Sequence, residues 1–345
     1  MWSLPTTDPI CHARTGSRLI EFLEQNLMPD AQSDKLKIWC LLDGKAGHQN
    51  QVLGLAEAIG RKRPAWIEYV ELTGWHRGFR SMVHLDLSQL PDSSPDLIIG
   101  AGHASHMPLC VFRRRFGGKS IVLMKPTFPL AWFDFCLVPE VHRLRQASDN
   151  LIRTKGVLNR ILPSTNMDTA KGLFLIGGPS PHYQWSDKKI VEQLASVVQK
   201  EATVDWRVAT SRRTPENFFR LLKQIDARFT IIRSEDVSSD WLPVQLAMAG
   251  KVWVSEDSVS MTCEALTSGS QTGLLELTRN RSNRVTDCID SFVATGELTR
   301  WTEWAKTEKL SRRTSQFCEA QRCTDLLLKH LPGAIGDKPT TAKVA

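Results

Sequence analysis

The chain has 345 residues, of which 41% are hydrophobic and 23% charged, and its formal net charge is +7. Such a length exceeds one ordinary hydrophobic core and fits two domains of a soluble globular protein. A basic surface can indicate nucleic acid, an anionic membrane or a phosphorylated substrate, or it can be an ordinary property of a cytosolic protein. No nucleic-acid-binding motif accompanies the basic runs at residues 113–119 and 309–316, so we expect no nucleic-acid partner.

Residues 1–35 are predicted to form an N-terminal extension with one helix, "SRLIEFLEQNLM". A strand over residues 36–42 follows, and then a helix with one apolar face formed by Val52, Leu55, Ala56 and Ile59. Further strands are predicted at "AWIEYVEL", "DLIIGAG", "SIVLM" and "FCLVP", with a helix at "ASHMPLCVFRRRF". Strands that alternate with helices predict crossover units and a parallel sheet.

The same pattern restarts after the stretch "TKGVLNRILPSTNMDTAKG". Strands are predicted at "GLFLIGG", "VDWRVATS", "FTIIRS", "KVWVS" and "TGLLEL". Ser186 is placed to cap the helix "SDKKIVEQLASVVQKE", and Thr214 to cap a second helix that has Pro215 in its first turn. A third helix is predicted to begin near Ser258. We therefore expect two doubly wound α/β domains, over residues 36–165 and 166–299, and a helical tail over 300–345.

Ligands of open parallel sheets bind beyond the carboxyl ends of the strands, so the loops that follow the strands carry the functional information. Six such loops contain polar groups, and three of them contain two glycines each. We expect all six to converge on one cleft between the domains. They begin at Asp43, Gly100, Lys125, Gly177, Thr210 and Ser255.

The loop "DGKAGH" after the first strand is too short for a Walker phosphate loop and lacks its glycine-lysine-serine ending. Its glycines allow close approach of a substrate to the backbone, and His48 stands at the helix start. The alternative is a tight strand-to-helix turn with exposed polar residues. In "GAGHASH", His103 can act as a base, contact a substrate or make a structural hydrogen bond. Together with His106 it offers too few ligands for a metal site.

Two loops of the second half favour phosphate. In "SRRT", Arg212 and Arg213 stand at a helix start, where guanidinium groups and free amides bind phosphate oxygens; the alternative is a solvated basic turn. In "SEDSVSMTCEA", hydroxyl groups cluster at a helix start that can bind a diphosphate, and Glu264 is placed to accept bonds from ribose hydroxyls. Ordinary helix capping is the alternative there.

In this order and roughly this spacing, "DGKAGHQNQ", "GAGHASH", "TSRRTP" and "SEDSVSMTCEA" resemble the family named for the plant mitochondrial fission factor ELM1, whose bacterial members are regarded as glycosyltransferases. The resemblance extends from about residue 36 to 277. It implies a GT-B-like fold, with the acceptor held by the N-terminal domain and the nucleotide-sugar by the C-terminal domain. One departure is that "LVPEVHRL" has His142 followed by Arg143 where the family pattern has a histidine-aspartate pair.

The resulting hypothesis is a metal-independent glycosyltransferase without a cofactor, which uses a nucleotide-sugar donor and a glycan or glycolipid acceptor of the cell envelope, including a lipid-linked one. The candidate catalytic residues are His48, Asp43 and His103. The candidate substrate-binding residues are Gly44, Lys45, Gly47, Gln51, Gly102, Gly177, Gly178, Ser211, Arg212, Arg213, Glu256, Asp257, Ser258, Ser260 and Glu264. No metal site is expected, because no paired-aspartate motif is present. A non-catalytic membrane-associated scaffold and a nucleotide-sugar epimerase are the alternatives.

Location follows from the same composition. The first residues lack the basic end and apolar core of a secretory signal, and the longest apolar runs fall far short of the roughly 20 residues of a membrane span. The eight cysteines have neither zinc-like nor disulfide-like spacing, which favours buried thiols in a reducing cytosol. We therefore expect a cytoplasmic protein attached peripherally to the inner membrane through its basic surface.

Overall fold

The computed structural model describes residues 35–72, 90–144, 148–225, 229–311 and 315–331. The helix predicted within residues 1–35 and residues 312–314 of the second basic run lie outside the described residues. Within these ranges, none of the helices is both long and apolar enough to cross a bilayer.

The first domain is a parallel sheet of six strands with two long helices. Its strands are β1 (Leu36–Leu42), β2 (Ala65–Glu71), β3 (Leu97–Ala101), β4 (Lys119–Leu123), β5 (Phe135–Pro139) and β6 (Leu151–Thr154). Its helices are α1 (Ala46–Lys62) and α2 (His103–Phe116). The strand order is β2-β1-β3-β4-β5-β6, which reverses direction beside β1 and so places a topological switch point there. The predicted apolar face of α1 packs on this sheet, and all four of its named residues are fully buried.

The second domain repeats the arrangement. Its main strands are β7 (Asp168–Ile176), β9 (Asp205–Thr210), β10 (Phe229–Ile232), β11 (Ala249–Ser255), β12 (Gln271–Leu275) and β14 (Thr299–Arg300). A small antiparallel pair is formed by β8 (Tyr183–Gln184) and β13 (Thr278–Arg279). The helices are α3 (Asp187–Lys200), α4 (Glu216–Leu222), α5 (Trp241–Met248), α6 (Val259–Ser268) and α7 (Arg284–Ala294). The parallel strand order is β10-β9-β7-β11-β12-β14.

Helix starts in the second domain follow the capping rules in part. The Ser186 hydroxyl accepts a hydrogen bond from the Lys189 amide, which confirms it as the cap of α3. The predicted cap at Thr214 is wrong, because α4 begins at Glu216 with Pro215 as its N-cap. The Thr214 hydroxyl instead donates to the carbonyl oxygen of Gly177 at 2.6 Å and so ties the loop after β9 to the end of β7.

The last two helices join the two existing cores instead of forming a separate tail. In α8 (Trp301–Thr307), the Trp304 side chain is fully buried in the core of the second domain. The following α9 (Glu319–Leu328) places Cys323 and Leu327 in the core of the first domain, against α1. The chain therefore passes between the domains twice.

The segment between β6 and β7, where the chain first passes between the domains, packs between a helix of each domain. A Cβ on Gly54 of α1 would lie 2.3 Å from the Asn159 carbonyl oxygen, so the connecting segment lies directly on this helix. The Asn159 side chain donates to the Thr267 hydroxyl of α6 at 3.0 Å. This double contact fixes the approach of the two domains along one side of the cleft.

Candidate functional site

The loop after β1 brings a carboxylate and an imidazole together. Asp43 Oδ2 lies 2.8 Å from His48 Nδ1, and Asp43 Oδ1 accepts a hydrogen bond from the Lys45 amide at 3.1 Å. The Asp43 side chain is only 1% exposed, whereas 20% of the His48 side chain is exposed. A carboxylate accepts a hydrogen bond, so the pair places the proton on Nδ1 and leaves Nε2 as the basic nitrogen of the ring.

The turn that makes this contact possible depends on Gly44, whose φ is +78°, a conformation that favours glycine. Helix α1 then begins at Ala46 with Lys45 as its N-cap, so His48 lies within the first turn and does not cap the helix. The buried Gln51 side chain donates to the Gly47 carbonyl oxygen at 3.1 Å. Gln51 therefore stabilises the turn from its buried side, whereas Lys45 and Gly47 are exposed on its outer surface.

The loop after β3 forms the wall behind His48. A Cβ on Gly102 would lie 2.2 Å from His48 Cε1, so the imidazole packs directly on the Gly102 backbone. His103, the first residue of α2, is exposed beside it, and its ring centroid lies 5.6 Å from that of His106. The predicted candidates Asp43, His48, Gly102 and His103 are thus brought into one place.

His106 is buried behind this group. Burial, followed by the nearby charges of His103 and His48, lowers the pKa of His106 to about 4. Its Nδ1 accepts a hydrogen bond from the Thr127 amide at 3.4 Å, which leaves the proton on Nε2. Within the described part of the chain, Nε2 has no hydrogen-bond partner.

In the second domain, the two glycines after β7 sit on a buried acid. A Cβ on Gly177 would lie 2.2 Å from an oxygen of Asp257, and one on Gly178 would lie 2.1 Å from the Arg213 carbonyl oxygen. The Gly178 amide donates to Asp257 Oδ2 at 3.1 Å, and the Gly177 amide donates to Ser255 Oγ at 2.7 Å. Glycines are required at these two positions because the loops after β7, β9 and β11 approach one another so closely that a side chain would collide.

The two arginines after β9 differ in what they contact. Arg213 donates to Asp257 Oδ2 at 2.8 Å and to the carbonyl oxygens of Gly178 and Pro179 at 3.1 and 3.0 Å. Arg212 is exposed, and its side chain makes no hydrogen bond or ion pair with any of the described residues. Arg213 is therefore a clamp on the neighbouring loops, and Arg212 is the guanidinium group that is available to a ligand.

Three further predicted binding residues also hold this loop cluster together. The Ser211 hydroxyl donates to the Gly177 carbonyl oxygen at 2.9 Å. Glu256 is buried, accepting from Arg300 Nη1 at 2.5 Å and from the Leu277 amide at 3.1 Å. With Asp257 also buried and bonded, the carboxylates of Glu256 and Asp257 have no free face for a substrate, so the geometry does not support direct contact.

The start of α6 lies opposite the start of α1. The Ser258 hydroxyl accepts from the Met261 amide at 3.4 Å, which confirms it as the N-cap of α6. Ser260 Oγ lies 4.0 Å from the position of a Cβ on Gly47, so the first turns of the two helices lie close to van der Waals contact. The amides of Val259 and Ser260 precede the first bonds of the helix and are the donors that a phosphate group would meet.

Glu264 makes a polar contact between the two domains. Its Oε1 accepts from the Asn50 side chain of α1 at 2.6 Å, and Asn50 Oδ1 accepts from the Arg160 amide at 3.3 Å. Burial raises the pKa of Glu264 to about 7, although the Asn50 bond lowers it. A ribose contact by Glu264 would share this carboxylate with Asn50. Sequence reasoning missed Asn50, because no sequence signal relates residue 50 to residue 264.

No group of three or more histidine, cysteine, aspartate or glutamate side chains suited to a metal ion occurs in the described ranges. The site therefore consists of the Asp43–His48 pair and its glycine wall on one side. On the other side are the start of α6 and the exposed Arg212. An imidazole base can take a proton on the first side while amides and a guanidinium group hold an anion on the second.

Solved structures show which fold this arrangement belongs to. The chain is 11% identical to the UDP complex of MnaA from S. aureus, over 88% of this chain and 99% of that one, with a TM-score of 0.55. It is 11% identical to the UDP-GlcNAc 2-epimerase of Neisseria meningitidis bound to UDP-GlcNAc, over 86% and 99% of the two chains, with a TM-score of 0.50. It is 14% identical to MurG of Acinetobacter baumannii, over 86% of this chain and 99% of that one, with a TM-score of 0.48.

The likenesses to MnaA and to the N. meningitidis epimerase confirm the predicted GT-B-like α/β fold of two facing domains. Among curated protein sequences, none matches the chain significantly. The family model described as "Mitochondrial fission ELM1" matches residues 46–331, which is most of the chain. The protein therefore belongs to the mitochondrial fission ELM1 family.

Proposed function

We propose that the protein is a glycosyltransferase that moves a sugar from a nucleotide-sugar to the hydroxyl group of an acceptor. The observation that carries this proposal is the buried Asp43 carboxylate bonded to His48 Nδ1 at 2.8 Å, at the switch point of the first sheet. A buried carboxylate that orients an accessible imidazole is the arrangement of a general base. The GT-B fold and the membership of the ELM1 family support the same assignment.

In this mechanism, the acceptor hydroxyl lies against His48 Nε2. As the oxygen attacks the anomeric carbon, Nε2 takes its proton and Asp43 stabilises the imidazolium ion that forms. The bond from the anomeric carbon to the diphosphate breaks, and the negative charge moves onto the diphosphate. The amides at the start of α6 and the guanidinium group of Arg212 offset that charge.

The donor would lie over the second sheet, with its diphosphate at the first turn of α6 and its ribose near Glu264. Arg213, Asp257 and Ser211 keep the surrounding loops in place through the bonds described above. Cations supplied by the chain would make a divalent metal unnecessary for leaving-group stabilisation. The proposal therefore includes a metal-independent reaction.

The acceptor would be a glycan or glycolipid of the cell envelope, and the protein would work at the cytoplasmic face of the inner membrane. The net charge of +7 and the exposed Arg114 and Arg115 support peripheral attachment to an anionic surface. Binding to phosphatidylglycerol vesicles at low salt that is lost at high salt would agree with this location. Absence of binding at low salt would contradict it.

A nucleotide-sugar epimerase is the second candidate, because the N. meningitidis UDP-GlcNAc 2-epimerase shares the fold. An epimerase needs no second substrate, whereas a transferase releases its product only with an acceptor. A non-catalytic scaffold, the third candidate, would bind anionic vesicles and no nucleotide.

The test is a thermal-shift panel of nucleotide-sugars, followed by turnover of the best ligand with and without cell-envelope glycolipid. A ligand at a hundred times its dissociation constant stabilises the folded state by roughly 2.7 kcal/mol, which is measurable. Acceptor-dependent release of nucleoside diphosphate would agree with the transferase. Epimerised donor in the absence of acceptor, or stabilisation by none of the nucleotide-sugars, would overturn the proposal.

A further inference from the structure

Positive charge collects where the turn after β5 meets the start of α7, a place that the proposed mechanism does not use. Lys125 follows β4, and Arg143 follows the short helical turn Glu140–His142 at the end of β5. Arg284, the first residue of α7, approaches the same turn from the second domain. We call Lys125, Arg143 and Arg284, which lie at or beside the turn that contains His142, the cationic group.

The His142 ring contacts one of these cations directly. Arg284 Nη1 donates to His142 Nδ1 at 2.9 Å. Burial, followed by the positive charges of Arg284 and Lys125, lowers the pKa of His142 to about 4. His142 is therefore neutral at physiological pH and adds no charge of its own, but its ring nitrogen fixes the direction of the Arg284 guanidinium group.

The positive charge is incompletely neutralised by the protein. Among the described residues, one carboxylate contacts the cationic group, that of Asp287, which lies 3.7 Å from Arg143. By comparison, Arg279 and Arg300 between them contact three carboxylates, those of Glu256, Glu276 and Asp290. Three cations with one contacting carboxylate leave a surplus of positive charge, and a cleft concentrates such a field on an incoming anion.

The location of the cationic group relates it to the Asp43–His48 pair. The strand order β1-β3-β4-β5 puts the loop that contains Lys125 two strands from the loop that contains His48. Neighbouring strands lie about 4.8 Å apart, so the separation is roughly 10 Å. A molecule whose hydroxyl group meets His48 can therefore reach Lys125 with a group attached across one sugar ring.

We propose that the cationic group binds a phosphate group carried by the acceptor, so that the acceptor is a phosphorylated saccharide. Two arginines and a lysine suit an anion with several oxygens, because the planar guanidinium groups bind pairs of oxygens and the ammonium group adds a point charge. The identification of the ligand as the acceptor rests on the proposed function. The phosphate site itself rests on the contacts above.

His142 provides a local probe for the test. In the full-length protein with isotope-labelled histidine, the ring signals of His142 are assigned with the variant His142→Gln. Glucose 1-phosphate is then added, with glucose as the matched compound without phosphate. Phosphate binding screens Arg284 and Lys125, so the His142 pKa should rise by at least about one pH unit with glucose 1-phosphate and stay unchanged with glucose.

Two variants test the named cations. Lys125→Gln and Arg284→Gln should each weaken binding of glucose 1-phosphate, followed through the His142 signals, by about tenfold. Arg61→Gln removes an exposed arginine in the last turn of α1, near the opposite end of the first sheet, and should leave binding unchanged. Equal affinity in all three variants would overturn the assignment of the site.

A lipid headgroup also carries a phosphate group, so the experiment is repeated with lipid vesicles in place of the sugar phosphate. Phosphatidylcholine vesicles with and without phosphatidylglycerol are compared by the same His142 signals. A response to phosphatidylglycerol alone would assign the site to a lipid headgroup and overturn the assignment to a saccharide. No response in any arm would overturn the site altogether. The His142 signals report on this site alone. If no nucleotide-sugar stabilises the protein but the His142 signals respond to glucose 1-phosphate, the transferase proposal is refuted and the phosphate site is retained.

Discussion

The imidazole of His48 lies against the backbone of Gly102, so closely that a methyl group on Gly102 would be 2.2 Å from His48 Cε1. The contact joins the loops after β1 and β3, which are neighbouring strands of the first sheet. The lack of a side chain at position 102 thus determines where the His48 ring can lie. Its consequences can be measured.

We expect Gly102→Ala to lower turnover by about 100-fold, because the added methyl group displaces His48 from its position beside Asp43. Nucleoside diphosphate binding should be unchanged, since the site proposed for it is in the other domain. Gly117→Ala is the matched control: Gly117 has φ +81° against +76° for Gly102, flanks the other end of α2, and has no atom within 4 Å of an added Cβ. Equal turnover of the two variants would show that the His48 position does not matter.

Asp43 and His48 should act as one unit. His48→Ala and Asp43→Asn should each reduce turnover by about 100-fold or more, since one removes the base and the other removes the charge that stabilises the imidazolium ion. The double variant should be no slower than His48→Ala, because the carboxylate acts only through the ring. Turnover rates with saturating donor test this, and losses that multiply in the double variant would refute the pairing.

The two arginines after β9 should respond differently to substitution. Arg213→Ala leaves the buried Asp257 without its cation and should lower the free energy of unfolding by about 2 kcal/mol, a value reduced for the partial exposure of Arg213. Arg212→Ala should leave stability unchanged and weaken nucleoside diphosphate binding by about tenfold. Chemical denaturation and calorimetric titration measure the two effects. Adding Asp257→Asn to Arg213→Ala should recover part of the lost stability.

Acid should destabilise the protein through His106. Its pKa is about 4 in the folded protein and 6.5 as a reference value, so the unfolded state binds the proton more tightly. The contribution of neutral His106 to the free energy of unfolding is fully present above pH 6.5. It is lost as the pH falls to about 4, and the loss amounts to up to about 3 kcal/mol. His106→Asn should flatten this slope. The pKa of His142 is also lowered to about 4, so His142 destabilises the folded state over the same pH range. Part of the dependence of stability on pH should therefore remain in His106→Asn.

Removal of divalent metal should leave turnover intact. The described residues provide amides and Arg212 for the leaving diphosphate and contain no cluster of three metal ligands. Full activity after treatment with a chelator is therefore the expected result. Loss of activity that magnesium or manganese restores would instead place a metal at the diphosphate.

The sheet architecture was predictable because its signals are local. Strands such as Leu97–Ala101 and Lys119–Leu123 are short, apolar and buried, as central parallel strands must be. The contact between Asp43 and His48 was also predictable, since five residues and two glycines allow the turn to fold back. Helix α7 was missed, although Asn283 and Thr286 form a capping box at its start.

Other parts of the site depend on distant contacts that no short stretch of sequence encodes. The bond from Asn50 to Glu264 joins residues 214 positions apart. Arg213 and Arg212 are identical in type and adjacent, yet only Arg213 meets Asp257, because β9 and β11 lie on either side of β7. Which of two neighbouring arginines is free is therefore decided by tertiary packing.

The return of α9 to the first domain has a consequence for the order of folding. The core against α1 includes Ala320, Cys323 and Leu327, which are translated after the whole second domain. During synthesis, the first domain would leave the ribosome with an apolar strip of α1 uncovered, although N-terminal domains generally fold first. The domain that carries His48 is thus completed last, so a nascent chain would be able to fold the domain proposed to bind the donor before the domain proposed to supply the base is complete.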